Sequence, residues 1–409
     1  MAETLAQRDY KAITVRELSK RAGVSTRTFY QCYASKDDCF LGLHQQTARH
    51  LLLALASRSR VDEESSERIG QEVEALCHEL GRDPARSRLL LLDANTVGGL
   101  RAQAQRLQCS LESRMVDCLD GTLEESAMSR AIASGVVSGL LGVARSRLLA
   151  GQLSALPAHS DELTKWAYAC LDPSLAQLDE IEVKIEQPVR LAHPRIATNT
   201  DDAALLMTAA AKLAATEETS ALSVRTVLAT AGLPRRRFDA NFESLEECLA
   251  EALSTSAHGL AARAMRAAAD HSNATHLIAR FVLAFCEEIE RDKVFARLCF
   301  GCFAMSDLSR IAVLGSLMTS AADLIAGALE RSLAVDVDRT KTEASVAACW
   351  TVIHKRITVQ GPGTIARMAP VLTYLVLAPA IGRRAAISAI CVEHNLHNTT
   401  REECLVNYG

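Results

Sequence analysis

Thr14-Val-Arg-Glu-Leu-Ser-Lys-Arg-Ala-Gly-Val-Ser-Thr-Arg-Thr-Phe-Tyr-Gln-Cys-Tyr-Ala-Ser-Lys36 is the stretch that decides the fold. Thr14 followed by Glu17 is a capping-box signal: the hydroxyl can cap a helix and the carboxylate can reach back to the capping N–H. Val15, Leu18 and Ala22 recur at helical spacing, and Gly23 stands where a left-handed C-cap is needed. Val24 is expected to plug the turn, and Ser25 to cap a second helix. Phe29 and Tyr33, four residues apart, give that helix one apolar face. Ser35-Lys36-Asp37-Asp38 starts a third helix. Two short helices joined by a tight glycine turn, the second exposing Thr26, Arg27, Thr28, Tyr30 and Gln31, meet the needs of a helix-turn-helix DNA reader.

At these residues the chain resembles the TetR/AcrR family of bacterial transcriptional regulators. Thr14-Val15, Ala22-Gly23-Val24-Ser25, Phe29-Tyr30, Tyr33 and Ser35-Lys36 stand in the family's order, with Cys32 where the family often has His. The resemblance implies an operator in double-stranded DNA as partner, with phosphate contact for Thr14, Tyr30 and Lys36. It implies base-edge reach for Thr26, Arg27, Thr28 and Gln31, and Ser25 completes the DNA-facing set. The chemistry agrees: hydroxyls, a helix N-terminus and an ammonium suit phosphates, and a guanidinium can pair twice with guanine. The competing reading is a helical hairpin with a solvated basic face, part of an adaptor or protein-interaction module.

At 409 residues the chain is too long for one compact core. Hydrophobic residues make up 49% but aromatics only 4%, with Ala, Leu and Arg abundant, which suits an all-α fold better than a sheet. The net charge of -4 means that any nucleic-acid surface must be a local patch. Lys11, Arg16, Lys20, Arg21, Arg27 and Lys36 against Glu17 alone supply such a patch at the motif. No run of about 18 uninterrupted apolar residues and no apolar leader is present, so the expectation is a cytoplasmic protein away from membranes. The 13 cysteines are scattered through apolar runs and read as buried, reduced thiols. Cys299 and Cys302 have a redox-like spacing, but no second pair at zinc spacing accompanies them.

Shifted by 209 positions, the motif aligns without gaps on Ser223 to Leu245, SVRTVLATAGLPRRRFDANFESL. Val15/Val224, Arg16/Arg225, Ala22/Ala231, Gly23/Gly232, Arg27/Arg236, Phe29/Phe238, Ser35/Ser244 and Cys39/Cys248 are identical. The repeat keeps the cap, the turn glycine and the aromatic anchors. It changes the contacts: Asp239 replaces Tyr30 and Leu245 replaces Lys36, while Arg225, Arg235, Arg236 and Arg237 make a different basic face. This second head either reads another half-site or is a degenerate remnant, and weakened or altered binding is the expectation. Asp201 to Thr216 supplies it with a supporting first helix. In the first head the matching segment is only Ala2 to Gln7, about two turns short, so either the start codon lies upstream of Met1 or this head is less well supported.

The expected plan is two fused TetR-like units. Head 1 occupies 1–44 and helical domain 1 occupies 45–172. A linker at 173–200 carries Pro188 and Pro194, head 2 occupies 201–252, helical domain 2 occupies 253–382, and a polar tail fills 383–409. The small-residue run Ile132–Leu149 permits close helix approach. By the resemblance it stands where the first helix of a dimer bundle would be. Family members are homodimers whose two heads meet successive major grooves. Here Leu123–Leu171 packing on Thr342–Leu377 would make an intramolecular pseudodimer, with pairing of two chains as the alternative. The resemblance also implies repression relieved by a small ligand in the helical region. No phosphate loop, dinucleotide fingerprint, zinc-protease or nucleophile-elbow pattern occurs, so neither catalysis nor a cofactor is expected. Glu393, His394 and His397 are read as part of the tail, not as a metal site.

Overall fold

The computed structural model describes residues 13–58, 64–92, 100–119, 127–171, 201–216, 222–269, 273–300, 308–333 and 337–393. Ala2–Gln7, the 173–200 linker, Cys302, His394 and His397 lie outside these residues. Within them the chain is all-α, with 18 α-helices and no strand. In order these are α1 Val15–Ala22, α2 Thr26–Cys32, α3 Lys36–Arg58, α4 Ser65–Arg82, α5 Pro84–Leu91, α6 Arg101–Asp117, α7 Ala127–Leu149 and α8 Ser160–Cys170. Then come α9 Asp202–Ala214, α10 Val224–Ala231, α11 Arg235–Asp239, α12 Leu245–Ala268, α13 Ala274–Arg291, α14 Lys293–Phe300 and α15 Leu308–Leu333. The last three are α16 Arg339–Gln360, α17 Ala369–Ile381 and α18 Arg383–Glu393.

Local signals set many of the ends. Asp83 Oδ1 accepts from Arg86 N (3.1 Å) with Pro84 at the first helical position, so α4 stops and α5 starts there. Asp201 caps α9, Asn273 caps α13 and Asp338 caps α16, each through its side-chain oxygen. One expectation fails: the polar tail set at 383 begins instead as α18, which buries Ala386 and Ile390 against the rest of the core. The apolar spacing of Ala386, Ile387 and Ile390 is the signal that the charged residues around it obscured.

The 209-residue shift extends past the heads. α4 and α13 both begin and end 209 residues apart, as do α5 and α14. With the ends paired, Ile69/Ile278, Val73/Val282, Ala75/Ala284, Cys77/Cys286 and Arg82/Arg291 are identical. Four of these pairs are core positions, buried in both helices.

Two helices from before residue 172 and two from after residue 200 pack on one another: α7 on α16, α8 on α17, with α7–α17 and α8–α16 contacts closing the group. The closest approach is made by glycines. A methyl on Gly139 would overlap the Trp166 ring and lie 2.7 Å from the Ala344 carbonyl, Gly142 lies against Ala347, and Gly135 lies against Leu375. The fully buried Trp166 donates from Nε1 to Ser345 Oγ (2.9 Å), and Ser345 donates on to the Leu375 carbonyl (2.7 Å). Around this apolar centre run charged ties: Arg147 to Glu343 (2.9 Å), Lys341 to Glu162 (2.6 Å), and Lys355 to both Glu112 and Ser134 (2.6 Å each). The segment Arg130–Leu149 is long and apolar enough to cross a membrane by length and composition, but 67% of its window is buried inside this packing.

A helical Gly→Ala change alone gains up to about 1 kcal/mol. At Gly139 the added carbon meets backbone that cannot yield, so Gly139→Ala should lower stability by about 1–3 kcal/mol. Gly259→Ala on α12, where the carbon meets only Arg263 Nη1 at 3.5 Å, should be neutral or stabilising. Urea unfolding of the two variants side by side checks the contrast.

Candidate nucleic-acid interface

Each helix of the first reader is held at its ends by its own residues. Thr14 Oγ1 accepts from Glu17 N (3.2 Å) at the start of α1. At its end Gly23 takes φ 67°, with Val24 N donating to Ser19 O (3.0 Å), the six-residue closure of a Schellman cap. Ser25 Oγ accepts from Thr28 N (3.0 Å) to open α2. Ser35 Oγ accepts from Asp38 N (3.0 Å), and Asp38 Oδ2 accepts from Ala34 N (2.9 Å), two side-chain bonds that open α3. Phe29 is the anchor. It is buried with Ile13, Leu18 and Phe40, and the same cluster takes in Leu89 of α5 and Leu100, which seats the reader on the body.

With Phe29 turned inward, the rest of α2 faces solvent. Thr14, Ser25, Thr26, Arg27, Thr28, Tyr30 and Gln31 are all exposed, Tyr30 at 58%. Arg16, Lys20 and Arg21 of α1 are exposed beside them and extend the basic face. One expectation needs correction. Val24 does not plug the turn: it is 41% exposed, and the turn is held by the backbone bonds around Gly23 instead. Lys36 is half-buried, and its Nζ donates to the Ile13 carbonyl (2.9 Å), so this ammonium helps to tie α3 to the strand of chain before α1. A contact spanning 23 residues is invisible to local reading.

Residues 223–245 repeat the frame. Ser223 and Thr226 form a complete capping box, Gly232 takes φ 69°, and Phe238 is buried with Phe242 packed on it, ring centroids 5.8 Å apart. Their outward helix is shorter, five residues in α11 against seven in α2, and starts at Pro234 with no side-chain cap. Arg225, Arg235, Arg236 and Arg237 are exposed, but Arg235 pairs with Asp239 (2.8 Å) and Arg237 with Asp202 of α9 (3.1 Å). Leu245, in the place of Lys36, is half-buried.

The thiols are mostly interior. Cys77, Cys170, Cys286, Cys299 and Cys391 are buried, and loss of water pushes the Cys77 and Cys349 thiols up to about 12, far from thiolate chemistry. Among the described residues no group of three or more His, Cys, Asp or Glu is placed to hold a metal.

Residues 2–43 match the family model described as "Bacterial regulatory proteins, tetR family". That domain marks a family of DNA-binding helix-turn-helix transcriptional regulators. No curated protein matches the chain.

The caps generate a local test. Ser25→Ala removes the acceptor of the Thr28 N–H and should cost about 1 kcal/mol. Amide exchange at Thr28 and Phe29 should accelerate accordingly, whereas Cys32→Ala, exposed at the other end of α2, should leave both amides unchanged.

Proposed function

We propose that the chain is a TetR-type transcriptional regulator, a repressor, that carries two helix-turn-helix heads on one intramolecular bundle and grips an asymmetric operator. The observation that carries the reading is α2: Phe29 pins it from behind while Thr26, Arg27, Thr28, Tyr30 and Gln31 stand out together beside a basic α1. Short polar side chains and a guanidinium at a helix N-terminus fit a major groove and its flanking phosphates. Thr14 and Tyr30 take phosphates in this reading, Ser25 and Lys36 line the same edge, and Arg27 takes a base edge.

The pseudodimer is supported by the paired ends of α4/α13 and α5/α14 and by the α7–α8–α16–α17 packing. Residues 1–44 and 201–252 are then the heads, 45–172 and 253–382 the two helical domains, 173–200 the linker, and α18 an extension of the second helical domain. Head 2 binds DNA more weakly, because acids neutralise two of its four arginines and a carboxylate facing phosphates repels them. A small ligand in the helical region relieves repression by favouring head placements that do not match the operator. The protein works in the cytoplasm and neither catalyses a reaction nor uses a cofactor.

A gel shift against the chain's own upstream DNA, at about 0.1 M salt, should show a specific complex. Arg27→Ala should weaken it by about 1–3 kcal/mol and relax specificity at one position. Tyr30→Ala should weaken it with little change in melting temperature. Head-1 variants that bind as well as wild type would point to the adaptor reading. Light scattering should give a monomer of the 409-residue chain, and an obligate dimer would remove the pseudodimer.

A further inference from the structure

Two polar side chains in the first half, the half-buried Arg145 and the buried His44, lie on either side of Leu107. Arg145, on the inner face of α7, donates from Nε to the Leu91 carbonyl (3.0 Å), and among the described residues no carboxylate pairs with it. Arg114 and Arg147 in the same body are paired with Glu72 and Glu343. Arg145 borders a recess of about 70 Å³ between α3, α5, α6 and α7, walled by Leu51, Leu91, Leu107 and Leu141. Withdrawal from water pulls its pKa below the usual guanidinium value, the sign of a cation without a counter-charge. On the other side of Leu107 an open groove of about 340 Å³ runs between α3 and α6, along Ala48, Leu52 and Leu53, and Gln45, Arg49 and Arg106 line it as well. His44 lines it, 1% exposed, with neither ring nitrogen hydrogen-bonded. Unpaired buried polar groups cost free energy.

The second half carries larger aromatic side chains at the corresponding place. At a shift of 209 residues, Arg145 corresponds to His354 and Leu91 to Phe300, and the bond is kept: His354 Nδ1 lies 2.5 Å from the Phe300 carbonyl. Leu141 corresponds to Trp350, whose ring stacks on Phe300 at 4.3 Å. His44 corresponds to Leu253, buried and apolar. Where the second half has aromatic fill and no strong cation, the first has a recess, a groove, an Arg and a His.

We propose that the first half binds one small amphipathic carboxylate per chain, its head group on Arg145 and its apolar part running past Leu107 into the groove beside His44. A carboxylate can take two parallel bonds from a guanidinium, and the recess is large enough for such a head but not for a bulky one. The combined space lies at the lower end of the range for small-ligand sites, about 300–1,000 Å³. Because α3 runs from the first head into this groove, an occupant touches the helix that carries the reader. This regulatory consequence rests on the regulator reading, whereas the binding does not.

Calorimetry on the full chain without DNA tests it, with octanoate and decanoate as probes and decanol and decyltrimethylammonium as head-group controls. Each carboxylate should bind once per chain with a Kd below about 1 mM, and the alcohol and the cation at least about tenfold more weakly. Arg145→Met, which keeps the length of the apolar stem, should cost the carboxylates about tenfold to a hundredfold and leave decanol unchanged. Three results overturn the proposal: no binding of either carboxylate, equal affinity for decanoate and decanol, or a folded Arg145→Met protein that binds decanoate as before. If Arg145→Met does not fold, the head-group series on the unaltered protein decides. The gel shift is read separately: DNA binding without carboxylate binding removes this site alone, and carboxylate binding without DNA binding removes the regulator reading alone.

Discussion

Everything in the body hangs on the close approach of α7 and α16. Three glycines on α7 let the backbone of one helix meet the alanines of the other, so the side chains around them do the filling. Trp166 can lie under Gly139 only because no methyl stands there, and its indole N–H reaches Ser345 from that position. Small residues at a crossing give dense packing at little side-chain entropy cost. The consequence is one continuous hydrophobic core that takes in side chains from Leu51 to Cys391, across the two halves of the sequence.

The charged ties at the rim of this crossing add orientation more than stability. Arg147–Glu343 and Lys355–Glu112 each join groups far apart in sequence, and both pairs are partly withdrawn from solvent. Charge pairs of this kind penalise a slipped register, because a shift of one turn would leave carboxylates and cations facing apolar neighbours.

How much of this was legible follows the distance over which each interaction acts. The reader heads could be read residue by residue, since Thr14, Gly23, Ser25 and Ser35 act within four positions of themselves. The all-helical body was legible from the spacing of apolar residues. The anchoring of Lys36 on Ile13 was not, because it joins residues 23 apart in sequence, and neither was the exposure of Val24, which no local signal reports. The repeat beyond the heads was written in Ile69/Ile278 and Cys77/Cys286, but sparse apolar identities stand out only once the helix ends are paired. Nothing in the small-residue run Ile132–Leu149 singles out Arg145. Its lack of a carboxylate partner is a property of the packed structure, where Arg147 two residues later finds Glu343.

The two helix-turn-helix segments are seated differently. The anchors of the first, Ile13, Leu18, Phe29 and Phe40, form a small cluster of their own with Leu89 and Leu100, whereas Val227, Phe238 and Phe242 of the second belong to the main core. Local opening of the first reader therefore exposes a handful of side chains and leaves the rest closed, while opening the second breaches the interior of the whole protein. Segments with few core contacts open at lower free energy than those woven into the main core, so this seating favours opening of the first segment before the second. The reader with the fuller set of outward polar groups is thus also the one whose order is cheapest to withdraw.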